Sequence, residues 1–433
     1  MMFHPFCPLS PMHSTHADLA SDIAFRAVAE SLYGKVAFSK HVLRYQGLGT
    51  AAASRGHREV RFFSTPGRSE LAGNHTDHNQ GKVLAAAINL DAVAAAAPRD
   101  DFKIFIASEG FPPVEISLRE LAKVPAEVGT TAALVRGIAA RLAFLGHAVG
   151  GFDAFLHSDV LPGSGLSSSA VIEVLVANIF NHLFNDGRLG ATEIAQIAQY
   201  AENQYFEKPC GLMDPLTCAT GGIVSIDFAD PRLPAVRRVA LNLETQDACL
   251  VIVDTGSSHA DLTCDYAAIP REMKDVAQAF GKTSCRGLTY EQISARLPEL
   301  RLRFGDRAVL RVLHYLGENQ RVDAQVAALE EGRFQDFLSL VRESGLSSFR
   351  WLQNVLAPAE SREQGLALAL ALTEQFLGGS GACRVHGGGF AGTIQAWIPR
   401  QRLDAFRSTI EPVFGVGTVK PLGIRSSGTV TFP

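Results

Sequence analysis

A glycine- and serine-rich turn between an alternating segment and an apolar helical segment constrains the fold more than any other part of the sequence. Residues 151–157 (GFDAFLH) alternate as a strand does, residues 161–170 (LPGSGLSSSA) form the turn, and residues 169–184 have the apolar spacing of a helix. Small residues let a backbone approach a polyanion, and the N–H groups at a helix start bind it. The sequence therefore favours a phosphate-binding loop, with a serine N-cap after a glycine turn as the alternative.

The glycine-rich segments do not match the common nucleotide-binding or hydrolase motifs. In residues 161–170 no lysine follows the glycines, Ser168 occupies the last glycine position of G-x-G-x-x-G, and no G-x-S-x-G elbow is present. Residues 386–392 (HGGGFAG) do satisfy G-x-G-x-x-G, but a predicted strand follows them where a dinucleotide fold needs a helix. We interpret this late segment as a loop that closes over a ligand, with a plain inter-strand turn as the alternative.

A polar cluster at residues 66–79 (PGRSELAGNHTDHN) suits a sugar. Nine of its fourteen residues carry hydrogen-bonding side chains, in a chain with only 19% charged residues. Neighbouring sugar hydroxyls each need a fixed donor or acceptor. A polar surface hairpin is the structural alternative. His75-x-Asp77 also resembles the start of a 2-His-1-carboxylate iron site, but the long helical stretches argue against the usual all-β scaffold.

A third candidate is the segment at residues 210–215 (CGLMDP), which follows Glu202 on a predicted helix. An aspartate before proline is most often a turn or N-cap residue. The functional alternative is that Asp214 orients or deprotonates a substrate hydroxyl.

The order of predicted elements indicates an α+β chain. Predicted strands lie at residues 60–63, 82–97, 103–106, 151–157, 222–228, 249–254, 382–385, 393–398 and 429–432, and a turn is predicted at residues 65–67. Predicted helices lie at residues 130–146, 169–184, 191–206 and 402–410, with helical periodicity throughout residues 270–377. We divide the chain into a peripheral helical extension at 1–57, an N-terminal lobe at 58–222 and a C-terminal lobe at 223–433.

Charge and cysteine usage exclude several classes of protein. The 40 basic and 44 acidic residues give a net charge of −4, which argues against nucleic acid or an acidic membrane as the partner. The seven cysteines form no C-x-x-C pair, so reduced thiols and a cytoplasmic location are expected. The N-terminus lacks the pattern of a signal peptide, and no stretch is apolar and long enough to span a bilayer.

Together and in this order, the four clusters resemble the galactokinase branch of the GHMP small-molecule kinases. The first is similar to G-R-x-N-x-x-G-E-H-x-D-Y-N, the second to G-x-G-L-S-S-S-A, the third to P-C-G-I-M-D-Q and the fourth to T-G-A-G-F-G-G. The resemblance covers roughly residues 57–430. It implies a two-lobed α+β fold, with a mixed-sheet N-terminal lobe, an α/β C-terminal lobe and the active site in the cleft between them.

The resemblance also implies ATP-dependent phosphorylation of a sugar at its anomeric hydroxyl, with Mg²⁺. It gives each matching position a role: base for Asp214, charge stabilisation for Arg68, metal binding for Ser169 and Glu202, nucleotide binding for Gly163, Ser164, Gly165, Leu166, Ser167 and Ser168, and sugar binding for Asn74, His75, Asp77, Gly211 and Tyr266. Such a set suits phosphoryl transfer, which depends mainly on positioning and charge neutralisation. We expect a monomer whose partners are the sugar and ATP.

The chain departs from the pattern at the sugar signature. Asn74 replaces a glutamate that contacts sugar hydroxyls, Glu70 replaces asparagine, His78 replaces tyrosine, and Pro215 follows the catalytic aspartate in place of glutamine. An amide in place of a carboxylate removes a charged acceptor and adds donors, which can change the preferred sugar. Galactose is the predicted substrate. Galacturonate is the alternative substrate. Two alternative functions are a non-catalytic sugar sensor and a kinase for mevalonate-like or homoserine-like alcohols. The sugar signature argues against the second, because kinases for those alcohols lack it.

Overall fold

The computed structural model describes residues 12–15, 18–160, 165–241, 243–256, 262–358 and 362–432. The strands are β1 (His13–Ser14), β2 (Glu59–Ala72), β3 (Lys82–Arg99), β4 (Lys103–Ser108), β5 (Val114–Ser117), β6 (Gly151–Ser158), β7 (Ile223–Asp227), β8 (Ala235–Val239), β9 (Cys249–Asp254), β10 (Ala382–Val385), β11 (Thr393–Ile398), β12 (Val419–Leu422) and β13 (Val430–Thr431). The helices are α1 (Ile23–Ser54), α2 (Thr131–Phe144), α3 (Ser168–Phe184), α4 (Ala191–Ala201), α5 (Met213–Thr220), α6 (Thr263–Gln278), α7 (Tyr290–Ala295), α8 (Leu297–Glu330), α9 (Phe334–Ser347), α10 (Gly365–Leu377) and α11 (Leu403–Phe414). Helices α1 and α8 each kink at a glycine with positive φ, Gly34 and Gly305.

The larger of the two sheets is mixed, as predicted. Its main path is β1-β2-β3-β6-β4-β5, with β13 added to β2 and the β7–β8 hairpin added to β3. The β4–β6 pair is parallel, whereas β2–β3 and β3–β6 are antiparallel. The α+β fold class is confirmed.

Strand β3 passes through the centre of this sheet, and its alanine run is a strand, as predicted. Residues 85–87 and 92–97 are almost completely buried. Helices α2 to α5 cover one face of the sheet, and α1 covers the other through a cluster of Phe25, Tyr45, Phe62 and Phe432. The small alanine side chains allow the helices on both faces of the sheet to approach β3 closely. Because both faces of the strand are covered, its sequence does not alternate between apolar and polar residues.

The turn predicted at residues 65–67 is wrong, because β2 continues through it. The ladder between β2 and β3 shifts register between Pro66 and Arg68, and proline is tolerated at such an irregularity. A side chain at Gly67 would press on Val160 and Ile88. The strand therefore places Arg68 in the interior of the molecule.

The smaller sheet has the order β10-β11-β9-β12; α10 and α11 pack on it around Phe406, and Trp397 of β11 packs against Phe334 and Phe337 of α9. The larger sheet continues past residue 222, since β7, β8 and β13 all belong to it. The division of the chain at residues 57 and 222 stays a prediction. None of the helices within the described ranges is both long enough and apolar enough to cross a membrane.

A buried aspartate joins the first helix, the central strand and the chain's last segment. Asp91 on β3 is fully buried; its carboxylate lies 2.9 Å from Arg44 of α1 and 3.3 Å from Arg425. The Tyr33 hydroxyl donates to the same group at 2.6 Å. Burial opposes ionisation, but the two guanidinium groups outweigh it and hold the pKa of Asp91 below its ordinary value.

Replacing Asp91 with asparagine removes the counter-charge of the buried Arg425 and leaves the buried Arg44 with only Asp159, at 3.2 Å. We expect Asp91→Asn to lower the free energy of unfolding by about 3–5 kcal/mol. The matched control is Asp101→Asn, since Asp101 is 48% exposed and its pair with Arg99 is worth at most about 1 kcal/mol. Urea denaturation followed by circular dichroism measures both, and equal losses would contradict this account of how α1 is anchored.

Candidate active site

An arginine–aspartate pair lies at the centre of the predicted site. Arg68 on β2 donates from Nε to Asp214 Oδ1 at 2.6 Å and from Nη2 to Asp214 Oδ2 at 2.7 Å. Its Nη1 donates to the carbonyl of Gly165 at 2.6 Å, and the Ser167 hydroxyl donates to Asp214 Oδ2. The two predicted catalytic residues are therefore in direct contact with each other and with two residues of the predicted phosphate loop.

Asp214 is placed by a helix that the sequence analysis did not predict. Helix α5 begins at Met213, so Asp214 lies in its first turn, where the helix dipole favours a negative charge. Pro215 is tolerated there because the first N–H groups of a helix have no intrahelical acceptor. Burial opposes ionisation, but Arg68 and the Ser167 hydrogen bond lower the pKa of Asp214 below its ordinary value. Asp214 is thus a carboxylate at neutral pH.

The predicted phosphate loop precedes helix α3. Gly163 and Ser164 lie outside the described residues. Leu166 is buried, its carbonyl accepts from the backbone N–H of Arg68 at 3.5 Å, and Ser168 begins the helix. Ser167 is the N-cap residue of α3. Its φ of 60° is a left-handed backbone conformation that residues other than glycine rarely adopt. The strain at Ser167 turns its hydroxyl onto Asp214 and leaves the start of α3 facing the same region.

The two residues predicted to hold a metal are neighbours. The Ser169 hydroxyl on α3 donates to Glu202 Oε1 at 2.9 Å. Glu202 is 3% exposed and lies where α4 passes into a π-helical turn, a distortion frequent at functional sites. Lys208 also donates to Glu202 Oε1, at 3.0 Å, and balances its charge.

One acidic side chain near this pair is buried without a hydrogen-bond partner among the described residues. Glu173, one turn beyond Ser169 on α3, is fully buried, and its carboxyl oxygens have no hydrogen-bond partner among the described residues. Burial, with a contribution from Glu202, raises the pKa of Glu173 well above its ordinary value. Across the described ranges, no group of three or more His, Cys, Asp or Glu side chains could hold a metal ion. A cation at Ser169 and Glu202 would therefore take its remaining ligands from phosphate oxygens and water.

His75 occupies a strained position beside the late glycine loop. Its φ is 57°, and its Nε2 lies 2.9 Å from the carbonyl of Gly388, which fixes the proton on Nε2. Burial lowers the pKa of His75 to about 3, so the ring is neutral. Its Nδ1 is a buried acceptor that has no hydrogen-bond partner among the described residues.

The other predicted sugar residues surround His75. A side chain at Gly211 would overlap the carboxylate of Asp77, so these two predicted residues are in contact. The ring of Tyr266 lies 6.4 Å from that of His75, and its hydroxyl donates to the carbonyl of Gly389 at 2.8 Å. Since Gly211 precedes Asp214 by three residues, the sugar signature and the Arg68–Asp214 pair border one region.

Asn74 is more deeply buried than the neighbouring His75 and Asp77. It is fully buried, and its amide donates to Glu70 Oε1 at 3.0 Å and to the carbonyl of Gly387 at 2.6 Å. Its carbonyl oxygen accepts from Asn354 at 2.8 Å. Glu70 in turn pairs with the fully buried Arg384.

Several functional neighbours were missed by the sequence analysis. Lys208 carries a weak signal, a lone lysine next to a proline at a predicted helix end. Glu173 lies at i+4 from Ser169, which places both on one helix face and could have been noticed. Arg384 and Asn354 carry no local signal, since both reach the site from more than 270 residues away along the chain.

Comparison with known proteins agrees with this geometry. The galactokinase galactose-binding signature matches residues 53–98, and the GHMP kinases N-terminal domain matches residues 133–222. A galactokinase of Streptomyces coelicolor is 32% identical over 362 residues, which are 83% of this chain and 89% of that protein.

Solved structures extend the match to the whole fold. Lactococcus lactis galactokinase complexed with galactose has a TM-score of 0.76 and 25% identity, covering 90% of this chain and 99% of that one. Methanococcus jannaschii mevalonate kinase shares the fold at a TM-score of 0.58 and 16% identity, with 86% and 99% covered. The fold and the site thus define a GHMP-type small-molecule kinase. Within that class, the chain belongs to the galactokinase family.

Removing Arg68 tests the electrostatics of the site. In Arg68→Ala we expect the pKa of Asp214 to rise and the free energy of unfolding at pH 7 to fall by about 1–3 kcal/mol, less than for a fully buried pair because the Asp214 side chain is 30% exposed. A carboxylate whose pKa is lowered in the folded protein stabilises the fold at pH values above its ordinary pKa, near 3.9. That stabilisation is lost as the pH falls through the pKa of the folded protein. The difference from wild type should therefore shrink below about pH 4.

Urea denaturation at pH 7 and pH 3.5 measures this difference, and Arg301→Ala is the control because Arg301 forms an exposed pair with Asp306. The same loss for Arg68→Ala at both pH values would contradict the assignment of Asp214 as a carboxylate held by Arg68.

Proposed function

We propose that this chain transfers the γ-phosphoryl group of ATP to the anomeric hydroxyl of galactose. The observation that carries the proposal is the ionised Asp214, held by Arg68 beside the start of α3 and next to the galactose-binding signature. The likeness to a galactokinase solved with galactose supports the choice of sugar.

Asp214 retains room for a substrate hydroxyl. A carboxylate offers about four acceptor positions, and the described residues use three of them. With 30% of its side chain exposed, Asp214 accepts a hydrogen bond from the anomeric hydroxyl and takes its proton as the phosphoryl group arrives. A weak base suffices, because the attacking oxygen has formed little of its bond to phosphorus in a loose transition state and does not need to lose its proton early.

Arg68 has two roles in this mechanism. It keeps Asp214 ionised, and its guanidinium stabilises negative charge on the transferring phosphoryl group. The N–H groups at the start of α3 and the hydroxyl of Ser168 bind the phosphates of ATP, while the single hydroxyl hydrogen of Ser167 is donated to Asp214.

His75 and Asp77 are proposed to bind the sugar. The Nδ1 of His75 accepts from a sugar hydroxyl, which would satisfy a buried acceptor that otherwise has no partner among the described residues. Asp77, in contact with Gly211, accepts from a second hydroxyl. A neutral, polar sugar suits this pair, because both groups accept hydrogen bonds from hydroxyls.

Ser169 and Glu202 fit Mg²⁺. Both offer oxygen donors, and the buried charge of Glu202 and the unpartnered Glu173 nearby would gain from a cation. When bound, Mg²⁺ neutralises charge on the β- and γ-phosphates. Lys208 holds the Glu202 carboxylate in place through its hydrogen bond.

The state of the cysteines bears on where the protein functions. The described cysteines are all free, and Cys264 is exposed, which supports a reducing compartment such as the cytoplasm. The monomeric state stays a prediction.

A panel of sugars with ATP tests the function. We expect ATP consumption with galactose to exceed that with galacturonate, N-acetylgalactosamine, arabinose and glucose. Asp214→Asn should lower kcat by about 10²–10⁴-fold, because the amide cannot take the proton, while galactose and ATP still bind in calorimetry. A preference for galacturonate would overturn the choice of sugar. Galactose binding by wild type without ATP consumption would indicate a sugar sensor.

Replacing the metal-site carboxylate tests the Mg²⁺ assignment. Glu202→Gln should raise the Mg²⁺ concentration for half-maximal activity by about 10–100-fold, because a neutral amide binds the cation less tightly. Glu193→Gln is the matched control on the same helix, since Glu193 is 42% exposed and pairs with His147. An unchanged Mg²⁺ dependence of Glu202→Gln would exclude Glu202 as a ligand.

A further inference from the structure

The carboxylate and the amide of the sugar signature have exchanged places. The pattern that this sequence resembles has asparagine at position 70 and glutamate at position 74, whereas this chain has Glu70 and Asn74. The two side chains are in contact, with Asn74 Nδ2 3.0 Å from Glu70 Oε1. The exchange therefore keeps one amide and one carboxylate facing each other and reverses their order.

Arg384 determines the carboxylate end of the pair. It lies on β10 of the smaller sheet, is fully buried, and donates to Glu70 Oε1 and to the carbonyl of Leu71 at 3.0 Å. A buried guanidinium needs a counter-charge, and Glu70 provides it.

The late glycine loop determines the amide end. Asn74 donates to the carbonyl of Gly387 at 2.6 Å and accepts from Asn354, so its side chain must carry both a donor and an acceptor. A carboxylate at position 74 would meet the Gly387 carbonyl with no hydrogen to share.

Three successive carbonyls of this loop are bound by predicted sugar residues. Asn74 binds that of Gly387, His75 that of Gly388 and Tyr266 that of Gly389. The position of the loop and the positions of His75 and Tyr266 are therefore coupled. Asn74 itself uses both amide hydrogens within this network and has none left for a sugar.

We propose that Asn74 is a positioning residue that holds the glycine loop at residues 387–389 over the sugar site, and that the exchanged Glu70–Asn74 pair is what permits it. The loop contact is a property of the free protein, whereas its effect on the KM for galactose rests on the proposed function. Asn74 acts through the loop, and His75 and Asp77 contact the sugar.

Isosteric variants separate the contact of Asn74 with Glu70 from its hydrogen bond to the carbonyl of Gly387. Asn74→Asp places a second carboxylate against Glu70 and removes the donor to Gly387. Combining it with Glu70→Gln restores one amide and one carboxylate in contact, but position 74 still lacks a donor. We expect Asn74→Asp to lower the Tm, to speed hydrogen exchange of the amides at residues 386–392 by about tenfold, and to raise the KM for galactose by about tenfold with kcat within about threefold.

The double variant is the decisive one. We expect Glu70→Gln/Asn74→Asp to recover only part of the Tm, since the repulsion between two carboxylates is gone but the buried Arg384 no longer faces the charge of Glu70. Hydrogen exchange at residues 386–392 and the KM for galactose should remain as in Asn74→Asp, because the bond to Gly387 is still missing.

Asn181→Asp is the matched control for a buried amide outside the site. Asn181 on α3 is 2% exposed and donates to the carbonyl of Leu189 at 3.2 Å. This variant should lower the Tm and leave both the exchange at residues 386–392 and the KM unchanged.

Two results would overturn the proposal. One is a double variant whose exchange and KM both return to wild type, because Asn74 would then serve only to pair with Glu70. The other is wild-type exchange in Asn74→Asp. If wild type does not phosphorylate galactose, the proposed function fails, and hydrogen exchange at residues 386–392 still decides this inference.

Discussion

The ion pair between Arg68 and Asp214 is the interaction on which the rest of the site depends. It joins β2 to α5 across 146 residues of sequence and draws in the turn before α3 through Gly165 and Ser167. Without the guanidinium, a carboxylate this enclosed would be driven toward its neutral form by burial. The pair therefore fixes the charge of the proposed base and the position of the phosphate loop together.

A second set of polar contacts joins the two sheets beside this pair. Arg384 on β10 binds Glu70 on β2, and Gln395 on β11 donates to Ser69 at 2.9 Å. Such buried contacts are directional, so they determine how the sheets align where apolar packing alone would allow sliding. The late glycine loop connects β10 to β11, so its position depends on how the two sheets align.

Local sequence patterns predicted the parts of the structure whose causes are local. The strand–turn–helix at β6 and α3, the central strand β3 and the three polar or glycine-rich clusters follow from periodicity and composition, and the order of the clusters indicated the family. The interior of β2 was misjudged at Pro66, because a bulge that accommodates proline depends on the partner strand. Asp214 was given a turn or N-cap as its structural alternative, since a helix as short as α5 forms only through packing.

The contacts that define the chemistry were beyond local patterns. Nothing near Asn74 indicates that its amide meets Gly387, which lies 313 residues later. The reversed Glu70–Asn74 pair was visible in the sequence as a departure from the family pattern. Its structural role depends on Arg384, which lies on β10 of the smaller sheet, and on Asn354, which follows the turn at the end of α9. Long-range pairing, rather than residue type, decides which polar groups remain available to a substrate.

The central claim is that the site transfers phosphate to the anomeric oxygen of galactose. Its most direct test is nuclear magnetic resonance of the product formed from galactose, ATP and Mg²⁺. We expect a single new phosphate ester whose phosphorus couples to the anomeric proton, formed by wild type and not by Asp214→Asn at equal enzyme concentration and reaction time. A phosphate on another oxygen, or the same product at the same rate from Asp214→Asn, would contradict it.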